Sequence, residues 1–187
     1  MFPVGRNLFL LLVWVLLSGL YGSQGMACDD QNVAWRTMFE SNAILRSKEG
    51  RTYRFPVKVA TTQAQQRAGF QHICSELIQD WGLLFVFRRT QQAPFHMQNV
   101  AEDLDIAFIS EEGKVLGVRK MSAERESGDS HIYRAEEPYR YALEVGMGRL
   151  FSWGVNEGVW WLVIDQKWDS LFSAVFQLGT SRKDITH

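Results

Sequence analysis

The chain has 187 residues and little cysteine: Cys28 and Cys74 are its only two. No C-x-x-C, H-x-H or M-x-x-M spacing occurs, so the sequence offers no ready metal or dithiol site, and no cofactor is implied. There is no G-x-S-x-G and no glycine-rich phosphate loop, which removes the common nucleophilic and nucleotide-binding signatures. Internal repeats and low-complexity tracts are also lacking. Charge of one sign is not in excess: 20 basic and 21 acidic residues give a formal net charge of −1. Without a basic stripe, nucleic acid is not an expected partner.

Long hydrophobic runs are missing too, apart from "LFLLLVWVLL" at residues 8–17. Ten residues at about 1.5 Å each span roughly half of a bilayer core, too little for a transmembrane helix. Preceded by Arg6 and followed by small and polar residues, the run reads as the core of a signal peptide covering residues 1–27, with cleavage after Ala27. The expected location is then periplasmic or secreted, with membrane contact only transient through the leader; an uncleaved N-terminal anchor is the weaker alternative. Cys28 and Cys74 could pair, Cys28 could be lipidated, or both thiols could stay free. Lipidation is disfavoured because "GMAC" has Gly25 where a lipobox prefers leucine. Residues 28–187 are one domain's length of chain, able to bury roughly 70% of its unfolded surface.

What is present is mostly strand. "RTYRFPVKVATT" alternates, with Tyr53, Phe55, Val57 and Val59 on one face and Arg54 and Lys58 on the other, and Pro56 suggests an edge or a bulge. Thr61 or Thr62 can cap a helix through "QAQQRAGF", and "SELIQDW" continues helically after a break near Gly69. "GLLFVF" reads as a strand buried on both faces. "PFHMQNV", "LDIAFIS", "KVLGVRKM", "RYALEVG" and "GVWWLVI" read as further strands, with "EEGK" as a hairpin turn. "NVAWRTMFESNAIL" is ambiguous between helix and strand. The expected fold is mainly β: a small antiparallel barrel or sandwich with a short helical insertion and a C-terminal helix near residues 168–178.

The motifs "VKVATTQAQQRAGFQ", "GLLFVF", "PFHMQN", "LDIAFIS-EEGKV" and "YALEVGMG" resemble, in this order, the domain of unknown function 192 family, over about residues 57–159. The resemblance implies a small β-barrel, often exported, and no established activity. Several positions depart from the family pattern. Phe70 and Gln71 stand for Leu-Met, Leu83 for methionine, His96 for tryptophan, Gln98 for lysine and Val100 for threonine.

Two carboxylates sit in apolar strands. On "LDIAF", Asp105 shares its face with Ala107; on "YALEV", Glu144 shares its face with Ala142. An unpartnered buried carboxylate costs several kcal/mol or shifts its pKa, so each needs a partner: Arg67, Arg119, Lys120, Asn99 or backbone amides. One reading is structural, with both carboxylates tying strands to loops. The functional reading joins Asn99, Asp105 and Glu144 at the rim of one pocket, binding a small polar ligand or an envelope component without catalysis. The alternative is a hydrolase acting on an envelope carbohydrate through Asp105 and Glu144, which would have to flank one bond. His96 and Met97 point to opposite faces of a regular strand, so they cannot chelate one metal ion.

Overall fold

The computed structural model describes residues 32–124 and 131–163. The leader, Cys28 and the expected C-terminal helix lie outside the described residues.

The ambiguous opening segment is both helix and strand. Helix α1 (Val33–Thr37) is followed at once by β1 (Phe39–Ser47) and β2 (Thr52–Ala60). Two short helices come next, α2 (Gln63–Ala68) and α3 (Ser75–Asp80), then β3 (Gly82–Gln91), β4 (Phe95–His96), β5 (Leu104–Ile109) and β6 (Val115–Met121). The described chain closes with β7 (Ile132–Tyr133), β8 (Tyr139–Gly146), α4 (Arg149–Ser152) and β9 (Trp160–Leu162).

Seven strands form one sheet in the order β6-β5-β8-β3-β2-β1-β9. All neighbours are antiparallel except β2 and β3, whose parallel ladder runs from Val57↔Gly82 to Ala60↔Phe85. A parallel step needs a crossover, and α2 and α3 are that crossover. The outer strands come together where Lys114 bridges Trp161. Gly158 N–H also donates to Val115 O at 2.9 Å and Leu162 N–H to Gly113 O at 2.7 Å, so the sheet is a nearly closed barrel. The β5–β6 hairpin turns at Gly113, whose φ of 84° suits glycine.

"PFHMQNV" is a strand only in part. Phe95 and His96 pair with Tyr133 and Ile132 in a separate two-stranded sheet, and the chain then turns through Asn99, which takes φ 56°. Pro56 lies inside the sheet opposite Asn42, but the β3 ladder begins only at Val57. On that side Pro56 is a local edge, where a missing N–H is tolerated.

Alternation along the strands serves two cores. Phe55, Val57, Val59, Leu84, Val86, Ala107, Leu143 and Val145 fill the barrel interior, together with Leu150 of α4. Leu83, Phe85, Leu104, Ile106, Phe108 and Ala142 point outward and are covered by Trp35, Phe70, Ile73, Ile78 and Met97. Lys58, on the outer face of β2, is also covered. Its ammonium lies 5.5 Å from the ring centres of both Trp35 and Trp81 and 2.9 Å from Glu40 Oε1.

The crossover is fixed by polar contacts that the sequence partly signals. Thr62 and Gln65 form a reciprocal capping box on α2. Buried Gln65 also donates to Thr37 O at 3.1 Å, tying α2 to α1. Cys74, at the N-cap of α3, is disulfide-bonded, and Cys28 is the one other cysteine of the chain.

At Gly82 the barrel wall has no room for a side chain. An added Cβ would stand 2.9 Å from Phe55 Cε2 and 3.0 Å from Val57 Cγ1. Gly82→Ala is expected to cost about 1–3 kcal/mol by overpacking, read from urea unfolding. An unchanged midpoint would show that the wall has slack there.

Candidate functional site

Strand register decides where the two carboxylates go. Glu144 pairs with Ile106 on one side and Leu83 on the other, both members of the outer core. Asp105 pairs with Val145, a member of the inner core. The two carboxylates therefore leave opposite faces of the same sheet.

Asp105 is fully buried and works as a remote helix cap. The N-cap of helix α4 is Gly148, which has no side chain to cap it. The Leu150 amide instead donates to Asp105 Oδ2 at 3.0 Å. That bond holds α4, with Leu150 at 0% exposure, against the barrel interior. Asp105 Oδ1 has no hydrogen-bond partner among the described residues. Of the partners expected from sequence, the backbone amide is the one it takes. Arg119 pairs with Glu136 instead, and Lys120 lies 4.9 Å from the Phe151 ring centre.

Glu144 lies on the floor of a cavity of about 420 Å³ between the outer barrel wall, α2 and the β4 segment. That size lies in the usual range for small-ligand sites. Phe85, Phe87, Phe95 and Tyr139 line it, with Arg67 and His96 at the exposed rim. The rings pack against one another along the cavity wall. Phe85 and Phe87 are near-parallel, 8° apart with centres at 6.2 Å. Phe95 stands edge-on to Phe85 at 5.1 Å and Tyr139 edge-on to Phe87 at 5.6 Å. The Tyr139 hydroxyl donates to Ala93 O at 2.6 Å and accepts from Gln91 Nε2 at 3.2 Å. Burial, and then the charge of Glu144, raise its pKa, so it stays a phenol.

Glu144 is 4% exposed, and burial alone pushes its carboxyl up to about 8. Among the described residues, no hydrogen bond or neighbouring charge contributes to that shift. At neutral pH the group is mostly a neutral acid that can donate one hydrogen bond.

Asn99 is exposed in the turn beside the cavity and does not line it. Its carbonyl accepts from the His72 amide at 2.8 Å, joining that turn to the crossover, and asparagine tolerates its left-handed backbone. Of the three residues expected to share a site, Glu144 reaches the cavity, Asn99 supports the neighbouring loop, and Asp105 lies across the sheet. The aromatic lining was not legible as a site. Phe85 and Phe87 follow the period-two rule, which a core strand obeys equally. Tyr139 and Gln91 meet only through the register slip between Val86 and Gln91.

Comparison with known proteins adds the family and the fold. A family model for the domain of unknown function 192, described as uncharacterised ACR, matches residues 44–160. A Sinorhizobium meliloti 1021 protein, named provisionally as a transcription regulator, is similar in structure with a TM-score of 0.59. It is 26% identical, the match covering 67% of this chain and 95% of that one. A protein of unknown function from Novosphingobium aromaticivorans DSM 12444 has a TM-score of 0.58 at 22% identity, covering 67% of this chain and 85% of its own. Among curated proteins none matches.

Two stability effects follow from this geometry. Asp105→Ala strands the Leu150 amide in the barrel interior and should cost about 1–3 kcal/mol in urea unfolding; no loss would remove the capping role. Glu144 has its folded pKa raised from 4.5 to about 8, so the folded state binds the extra proton between those values. Its stabilising contribution is complete below the lower value and is lost as pH rises to the upper one. Relative to Glu144→Gln, the wild type should lose up to a few kcal/mol across that window, at most about 1.4 kcal/mol per pH unit. A constant difference between the two proteins would mean that the carboxyl is not desolvated.

Proposed function

The chain belongs to the domain of unknown function 192 family, which carries no established activity, and from the site itself we propose that the protein is an exported, non-catalytic module that binds a small polar ligand. The ligand is either free or the exposed part of an envelope component, and it enters the cavity over Glu144. The observation behind this reading is a buried carboxyl, without a protein partner among the described residues, at the floor of an aromatic cavity. A polar group kept at such cost, where a hydrophobic residue would pack better, suits recognition of something absent from the chain. Export is supported by the leader-like residues 1–27 and by the disulfide at Cys74, because disulfides persist in oxidising compartments. A nucleic-acid role, suggested by the name of the S. meliloti protein, gains nothing from a chain of net charge −1.

The hydrolase alternative requires two carboxyl groups flanking one bond across an open cleft. Asp105 and Glu144 leave opposite faces of the sheet, and Asp105 is fully buried. Acid–base chemistry by that pair has no support in the geometry.

A thermal-shift panel of sugars, amino acids, nucleosides and amines tests the reading. At least one compound should stabilise the wild type while leaving Ala93→Trp, which fills the exposed cavity wall, unshifted. If no compound separates the two proteins, the cavity is not a ligand site.

A further inference from the structure

Resting on that reading, we propose that the cavity is built for an organic ammonium ion, held between the Glu144 carboxylate and the surrounding aromatic rings.

The first argument is the inventory of polar groups still available to a ligand. Two amide nitrogens in the cavity wall are committed to the scaffold: Gln66 Nε2 donates to Val86 O at 2.8 Å and Gln91 Nε2 to the Tyr139 hydroxyl at 3.2 Å, while Gln63 and Arg67 line the exposed side of the cavity. The Tyr139 proton is committed to Ala93 O. His96 Nδ1 accepts from the Gln98 amide at 3.3 Å. Glu144 is the one buried carboxyl among the lining residues, and a buried acid with no hydrogen-bond partner among the described residues suits a ligand with one strong complementary centre.

The second argument is the lining itself. Aromatic rings carry negative lobes on their faces, which attract a cation, most strongly one already shedding water; Phe87 and Phe95 are the partly exposed rings of the lining, backed by buried Phe85 and Tyr139. The fold shows the same physics elsewhere: Lys58 lies 5.5 Å from two tryptophan ring centres and 2.9 Å from one carboxylate oxygen. In the Lys58 site the chain supplies its own ammonium. Around Glu144 it supplies the rings and the acid, and no ion pair to that acid forms among the described residues, Arg67 standing at the exposed rim. Lys58 itself does not serve, because Leu83 stands between it and Glu144 in the cross-strand row.

Charged and titratable groups around the cavity come from three elements: Glu144 and Tyr139 from β8, Arg67 from α2 and His96 from β4. Arg67 and His96 are at the exposed rim, so the preferred ligand carries its positive group inward and a neutral or anionic end toward the mouth. Binding an ammonium ion displaces the Glu144 proton. Affinity should therefore rise about tenfold per pH unit up to about 8 and then level off.

The test is isothermal titration calorimetry of the full chain with choline chloride and with its uncharged carbon isostere, 3,3-dimethylbutan-1-ol. Choline is expected to bind at least tenfold more tightly at pH 9, to follow that pH slope, and to release close to one proton at pH 7. Glu144→Gln should abolish both the slope and the preference while leaving the isostere's affinity unchanged, which also shows the variant's cavity intact. His96→Gln should keep the slope. Equal binding of the two probes, or choline binding that ignores Glu144→Gln, overturns the ammonium inference and leaves the ligand-binding reading standing. Failure of both probes overturns it as well, and the ligand panel then decides separately whether any small molecule uses the cavity.

Discussion

Where β3, β8 and β5 run side by side, both faces of the sheet are largely covered, and the placement of Asp105 and Glu144 follows from that. One side of those strands fills the barrel and the other supports the crossover helices. A carboxylate on either side cannot escape to water by rotating. Asp105 and Glu144 meet the same difficulty in opposite ways. Asp105 takes a backbone amide that α4 leaves unsatisfied, so a buried carboxyl oxygen and an orphan donor offset part of each other's cost. Glu144 finds no donor among the described residues, keeps its proton to higher pH, and borders the cavity instead.

Much of this was readable residue by residue, and its limit is geometric. Alternation correctly paired Asp105 with Ala107 and Glu144 with Ala142, because side chains in a strand change sides at every step. It could not say that the two alanine-bearing faces belong to opposite sides of one sheet. That is set by the Asp105↔Val145 register, and no single strand contains it. The Thr62 cap was legible because its chemistry is local. Asp105 as the cap of α4 was not, since donor and acceptor are 45 positions apart. The motif order indicated the barrel fold; the parallel step between β2 and β3 is the one departure from an all-antiparallel sheet.

The departures from the family pattern acquire a place in space. Leu83 and Phe70 belong to the outer core, where exchange among large apolar residues is tolerated when volume is kept. Phe70 also lines the cavity, as do Gln71, His96 and Val100. Imidazole in place of the family's usual indole makes the rim smaller and more polar. The departures at this site include exposed His96 and buried Phe70 and Val100, while Gly82, Phe85, Asp105 and Glu144 keep the family residue.

The seam between β1 and β9 has a bearing on how the chain reaches this state. Leu45 and Leu162 are neighbours there, yet nearly the whole described chain separates them in sequence. Closing so large a loop costs the most entropy of any pairing in the sheet, and a three-residue strand returns little until Trp160 and Leu162 are packed. The β1–β2 and β5–β6 hairpins join near neighbours and can form early. Barrel closure is therefore a late event in folding and, by the same reasoning, the first part of the wall to open in native-state fluctuations.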